Sequence, residues 1–414
     1  MIRNMFVSAA LGLAALSVAT PAFAQTSLTF SSWQFEEPGN SDWWRAVISA
    51  FQQENPDIQV EEVYIPYADY MTQMTVRFAA NRPPAVLQIS EQLFGAYAAQ
   101  GWLAGLDEHI AGTDIATEWA AAQDDLTWDG ETRGVLISNS ALMLFYNSQI
   151  LEDAGIEVPT SFDEFVTAVN AATDRDAGIF GLAAVTTEHP TAVEDFHRYA
   201  RWGGTDVIVD GQYNLDSPEM QAAIETYRQV VGGNAPLGNV SAVARQLFVD
   251  GRTAFLIDGP WVWSWLERAT PEMRPNLHMI GTPFGESLAP GGISIHVAEG
   301  LDEGMEAAAF RFIEFATRPE WQREYLIMTG QPAGRASSVL TDEDNAESPH
   351  LQVISDAAAI GVPLFSAEQE VRANFNEYSA IFMEGALRTI STDDPIENIL
   401  SDTQAALERA VPLD

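Results

Sequence analysis

Asp258-Gly259-Pro260-Trp261 is the stretch whose residue types best suit recognition chemistry. A carboxylate accepts hydrogen bonds from hydroxyls, and more strongly than a neutral acceptor does. An indole face covers the apolar face of a ring. Together they suit a sugar held in a cleft. The apolar run 254–257 leads into this stretch, and Asp-Gly-Pro ends a strand. Pro260 fits the first turn of a helix, where its missing N–H costs nothing. The expected order is therefore strand, sharp turn, helix, with Asp258 and Trp261 at the turn. Trp263 and Trp265 read as core residues, and Trp261 is divided between core and site.

The elements that must position this turn repeat along the first hundred residues. Residues 27–32 read as a strand ending at Ser32-Trp33. Trp44, Val47, Ile48 and Phe51 recur at helical spacing, and Pro56 marks the end of that helix. Residues 58–65 alternate as a strand, and 67–80 form an amphipathic helix broken by Pro83-Pro84. A strand over 85–90 runs directly into Glu91-Gln92, and a helix over 94–100 stops at Gly101. This β-α-β-α-β-α order predicts a parallel sheet with crossover helices. Ligands bind beyond the carboxyl ends of such strands. Ser32-Trp33, Ser90-Glu91-Gln92 and Asp258-Gly259-Pro260-Trp261 are three of those ends, so the reading gathers them around one cleft.

Farther along, residues 133–146 form a long extended run interrupted by Ser138-Asn139-Ser140, a pattern able to cross between two lobes. Ser161-x-x-Glu164 reads as a capping box opening a helix to about Thr173. Residues 206–215, with Asp210-Gly211 at the centre, read as a hairpin. Helices are expected over 192–202, 217–231, 243–250, 304–316, 366–389 and 394–410, and strands over 179–185, 278–282 and 293–297.

Composition narrows the function classes. At 414 residues the chain is long enough for about two domains, and its 47% hydrophobic content supports a large core. Residues 1–24 read as a signal peptide: Arg3, an apolar run, then Ala22-Phe23-Ala24 before the cut. The apolar run is shorter than a spanning helix requires, and none follows, so an exported chain without stable membrane insertion is expected. There is no Cys and no Lys. Disulfides, thiolate chemistry, Schiff-base lysines and the phosphate-loop lysine are thereby excluded. A formal net charge of −39 argues against nucleic acid as a partner. The six His do not pair at metal-ligand spacing, and no cofactor is expected. Asp342-Glu343-Asp344-Asn345 looks like part of a calcium loop without its glycine and terminal Glu, and reads as a solvated acidic loop.

In order, these elements resemble the extracellular solute-binding proteins of carbohydrate ABC transporters, the maltose-binding-protein-like family. The resemblance rests on Ile257-Asp258-Gly259-Pro260-Trp261 and on Phe145-Tyr146-Asn147 followed by Gly155-x-x-x-Pro159-Thr160-Ser161-Phe162-Asp163-Glu164-Phe165. Phe94-Gly95-Ala96-Tyr97 before Gly101 adds to it. It implies an α/β fold of type II, two lobes each built on a central sheet flanked by helices and joined by hinge crossings. Those crossings are expected near 138–140, 281–285 and 330–335. The lobes would comprise 25–137 plus 284–330 and 138–283 plus 331–414. The expected ligand contacts are Trp33, Glu91, Gln92, Asp258, Trp261 and Tyr378, with Glu36, Gly292 and Arg335 secondary. The family's expected partners are a carbohydrate ligand and a membrane permease, and the protein would be a periplasmic monomer without catalytic residues. Two departures stand out: Pro84-Ala85 replaces a typical Pro-Asp, and Asp258 stands where Asn is common.

Competing readings remain. The same transport role could serve a polyamine, matched by the acidic residues, or a sugar or glycerol phosphate, for which Arg335 is suggestively placed. A secreted glycosidase would need two carboxylates at defined separation. With 59 Asp and Glu, such pairs are cheap. His-Glu-x-x-His and Gly-x-Ser-x-Gly signatures are absent.

Overall fold

A computed structural model describes residues 25–37, 39–284, 287–289, 291–335, 339–365 and 368–413. The expected signal peptide at 1–24 lies outside the described residues.

Two sheets organise the chain. The first has five strands in the order Ile58–Tyr64, Thr26–Ser32, Val86–Ser90, Ile293–Val297, Val135–Ser138. The second has four, in the order Leu277–Gly281, Met143–Asn147, Thr253–Asp258, Phe180–Ala183. Helices flank both sheets, giving an α/β architecture of two halves.

The parallel pairing expected of the first three strands is present, and a later strand adds an antiparallel member to the same sheet. The three N-terminal strands pair in parallel, but Ile293–Val297 runs antiparallel to both of its neighbours. The reason is topological. That strand arrives from the second half, not through a crossover helix of the first, so nothing constrains it to run parallel.

The extended run 133–146 divides between the sheets, as its polar interruption suggests. Val135–Ser138 belongs to the first and Met143–Asn147 to the second. The chain returns between Leu277–Gly281 and Ile293–Val297. It passes a third time after the helix Pro319–Thr329, where Ala333 bridges to Ser138 and the helix Pro349–Ala359 packs on the strand Leu277–Gly281.

Each half has its own core. In the first, the helix Asn40–Glu54 buries Trp43, Trp44, Val47, Ile48 and Phe51, the apolar stripe of its 3.6-residue period, against Phe30 and Phe312. The two indoles satisfy their N–H groups on Trp321 O and Gln34 Oε1. In the second half, Phe165, Phe196, Tyr199, Tyr227, Phe255 and Phe382 pack under the sheet. Asp210 and Gly211 both adopt positive φ at the hairpin turn, as Asp-Gly predicts.

Three local expectations change. Ser161 caps its helix by accepting from Glu164 N, but the Glu164 carboxylate accepts from Thr160 N and Oγ1, one residue before the position a capping box uses. The helix expected over 366–389 is two helices, Gln369–Ala373 and Phe375–Ser391, separated at Asn374. Asp342-Glu343-Asp344-Asn345 is not a loop: it opens the helix Asp342–Glu347, where Thr341 and Asp344 form a reciprocal capping box. Asp344 also accepts two hydrogen bonds from Arg323, which hold its carboxyl well below the usual range.

Candidate functional site

Glu91 is the first residue of the helix Glu91–Ala98, which starts three residues earlier than the apolar period suggests. No loop intervenes after Val86–Ser90, so the carboxylate sits at the strand's carboxyl end. It is locked there by Gly292. Gly292 N–H donates to Glu91 Oε2 at 2.7 Å, and Glu91 N–H donates to Gly292 O at 3.0 Å. A Cβ on residue 292 would lie 2.1 Å from Ser138 O, so only glycine allows this approach. Burial, more than any other influence, raises the Glu91 carboxyl to about 7; Asp125 pushes it up further, while the Gly292 N–H and Arg372 oppose the rise.

Glu91, Gln92 and Asp125 of the first half face Phe365, Arg372 and Phe375 of the second across a cavity of about 50 Å³. That volume holds a few waters and is smaller than a sugar. Arg372 closes one side of it. Its guanidinium donates to the Asp125 and Thr127 carbonyls and lies over the rings of Phe94 and Trp128. Desolvation lowers the pKa of Arg372, opposed by the Asp125 and Glu91 carboxylates. Gly95 permits the contact: a Cβ there would fall 2.5 Å from Arg372 Cβ.

On the second half, Thr253–Asp258 and Phe180–Ala183 are parallel neighbours, and their carboxyl ends border a second cavity of about 20 Å³. Asp258 lines it, together with Thr191, Asp195 and Tyr199. Asp258 is already engaged: it takes a two-point contact from Arg245 and accepts from Gly259 N–H. Next to it Trp261 is 39% exposed, and its ring is folded back over Gly259.

The remaining expected residues are placed as follows. Trp33 is 6% exposed and packs edge-on against Tyr67 and Tyr70. Tyr378 lies in the second core, its hydroxyl bonded to His197 Nε2 at 2.7 Å. Glu36 points to solvent near Arg45. Arg335 sits at the third crossing, paired with Asp114 at 2.8 Å and stacked over Trp119. Thus Glu91 and Gln92 line one cavity, with Gly292 bonded to Glu91, and Asp258 lines the other, three residues before Trp261. Trp33, Glu36, Arg335 and Tyr378 are elsewhere. Trp263 and Trp265 are part-buried against the packing under Trp261, and Trp263 stacks on His350 at 4.3 Å.

Sequence reasoning missed Arg372, Asp125 and Asp195. Arg372 carries no motif, since its partners are backbone carbonyls nearly 250 positions away in the chain. The strand-end rule could have reached Asp195, which lies on the helix Pro190–Trp202 following Phe180–Ala183. Among the described residues no group of three or more His, Cys, Asp or Glu is arranged to hold a metal.

Residues 46–353 match the bacterial extracellular solute-binding protein family. The chain belongs to that family. This solute-binding protein is 23% identical over 327 residues to the melibiose/raffinose/stachyose-binding protein of Bacillus subtilis, covering 71% of each chain. It is 22% identical over 347 residues to the sn-glycerol-3-phosphate-binding periplasmic protein of Brucella suis, covering 77% of each. Its fold is similar to maltose-bound MalE3 of T. maritima, with a TM-score of 0.77 at 21% identity, covering 93% of this chain and 99% of the other. The two-half α/β architecture is therefore that of the maltose-binding-protein-like, type II binding proteins. The family's business is binding and transport, not catalysis. Among the described residues of the solute-binding protein, no helix is long and apolar enough to cross a membrane.

Proposed function

We propose that the protein captures a carbohydrate, a mono- or oligosaccharide, between its two halves and delivers it unaltered to a membrane permease. The halves act as lobes comprising 25–137 plus 284–330 and 138–283 plus 331–414, with 1–24 removed after Ala24 on export to the periplasm. The mature protein works there as a monomer. Glu91, Gln92, Asp258 and Trp261 lead the contacts, with Gly292 holding Glu91; Trp33, Glu36, Arg335 and Tyr378 act from a distance.

The observation that carries this reading is the half-exposed indole of Trp261 beside Asp258 at a strand's carboxyl end. A flat apolar plate next to fixed hydrogen-bond acceptors matches a ring with one apolar face and a rim of hydroxyls. Closing the lobes on such a ligand requires only that the closed form bind it better.

A phosphate ester is the second reading, suggested by the Brucella relative. Charge argues against it. At the first cavity Glu91 and Asp125 outnumber Arg372, and at the second Glu194, Asp195 and Asp258 outnumber Arg198 and Arg245. An anion would enter an acidic surplus. A melting-temperature screen against neutral sugars, polyamines and sugar phosphates separates the readings, because a ligand of the folded state raises the midpoint. Trp261→Ala should weaken sugar binding at least tenfold, about 1.4 kcal/mol. Stabilisation by phosphate esters alone would favour the second reading.

A further inference from the structure

We infer that the small cavity on the second half is a subsite for a protonated amino group, so that the preferred ligand is an amino-substituted sugar. The inference rests on the carbohydrate reading above and narrows its ligand class.

Three observations meet there. First, Asp195 and Asp258 both line the cavity, from a helix and from a strand end. Second, their counter-charges are already shared. Arg198 is a buried guanidinium divided between Glu194 at 2.7 Å and Asp195 at 2.8 Å, and Arg245 is taken by Asp258. Three carboxylates face two guanidiniums, so one negative charge is left over. Third, Tyr199 lines the same cavity, is only 2% exposed, and its hydroxyl has no hydrogen-bond partner among the described residues.

A buried acceptor surplus is costly unless something donates into it. Burial accordingly raises the Asp195 carboxyl to about 6; Arg198 opposes the rise, and Glu194 and Asp258 add to it. Tyr199 and Tyr227 feel the same charge, their hydroxyls being held protonated by burial and by Asp195. An ammonium supplies three donors and the missing positive charge. A hydroxyl supplies one donor and no charge. The cavity, at about 20 Å³, admits one such group and excludes an acetylated amine. Trp261 follows Asp258 by three residues, after Gly259 and Pro260, and its ring is folded back over Gly259, so a sugar ring stacked on it lies near the Asp258 side of this wall.

The test is titration calorimetry on the mature full chain with matched pairs: glucose and glucosamine, galactose and galactosamine, cellobiose and the glucosamine disaccharide. In at least one pair the amino member should bind at least tenfold tighter, and Asp195→Asn should abolish that preference. Tyr199→Phe, which keeps the ring packing, should reduce it several-fold and serves if Asp195→Asn does not fold. Equal or tighter binding of the neutral member wherever binding is seen overturns the inference and leaves the carbohydrate reading standing. So does a preference that survives both substitutions. Binding of no sugar in any pair overturns the carbohydrate reading itself, and this inference with it.

Discussion

Arg245 holds Asp258 by two parallel hydrogen bonds, Nε to Oδ2 at 2.7 Å and Nη2 to Oδ1 at 3.2 Å. The pair joins the helix Ser241–Val249 to the end of the strand Thr253–Asp258. Its guanidinium also lies 6.0 Å from the centre of the Trp261 ring and 5.8 Å from that of Trp265. Asp258 therefore fixes the turn that presents Trp261, and a ligand reaching this carboxylate meets one whose charge is already balanced.

Arg245→Met should leave Asp258 largely buried without its partner and destabilise the fold by about 1–3 kcal/mol. Asp258→Asn added to it should recover part of the loss, because the orphaned charge goes. Chemical denaturation of the two single variants and the double checks this; strictly additive losses would show that the pair is not coupled.

Gly259→Ala should displace the Trp261 indole. A Cβ at 259 would lie 2.1 Å from ring atom Cη2. The backbone there is ordinary, φ −75°, so the constraint is the ring and not the dihedral. Since the indole is partly in solvent, it can swing away with little loss of stability. Ligand affinity is expected to fall about tenfold, or ~1.4 kcal/mol, with a shifted tryptophan emission. An unchanged emission spectrum would mean that the ring had stayed where it is.

Glu91 gives a pH signature. Its folded pKa of about 7 stands above the ~4.3 of an unfolded chain. Between those values the folded chain keeps a proton the unfolded chain has lost, so this group lowers stability as pH rises, with the full penalty above pH 7. Burial takes His197 and His296 down to about 4, which works the other way: stability rises with pH between about 4 and the ordinary ~6.5. The native profile mixes the two. The difference between native and Glu91→Gln melting curves isolates one: the variant's advantage should grow from about pH 5 to about pH 7 and then level off. A difference that is constant with pH would refute the assignment.

Arg372→Ala should loosen the contact between the halves. It removes donors to two carbonyls of the first half and the packing over Phe94 and Trp128. Hydrogen bonds from a charged donor contribute about 1.5–3 kcal/mol. Small-angle scattering of the ligand-free protein should then give a larger radius of gyration than the native chain. The same radius for both would show that the halves are held together elsewhere.

Local order was legible in the residues. Alternation at 58–64, the Trp44-Val47-Ile48-Phe51 stripe, Asp210-Gly211 and Asp258-Gly259-Pro260 each act through neighbours a few positions apart, and each formed what its chemistry dictates. The strand-end rule likewise brought Glu91 and Gln92 to a cavity between the halves. What stayed hidden depends on residues far apart in the chain. Nothing near Tyr378 in sequence says that its hydroxyl will be used by His197, 181 positions away, or that Trp33 will be covered by Tyr67 and Tyr70. Nothing near Asp258 says that its charge will be met by Arg245 and not by a ligand. The direction of the strand Ile293–Val297 was set by which half it returned from. The sequence alone determined the elements and the family, because hydrophobic period, turn chemistry and motifs are local. Only the tertiary structure decided which polar groups remain available, because burial and partner choice are properties of the packed whole.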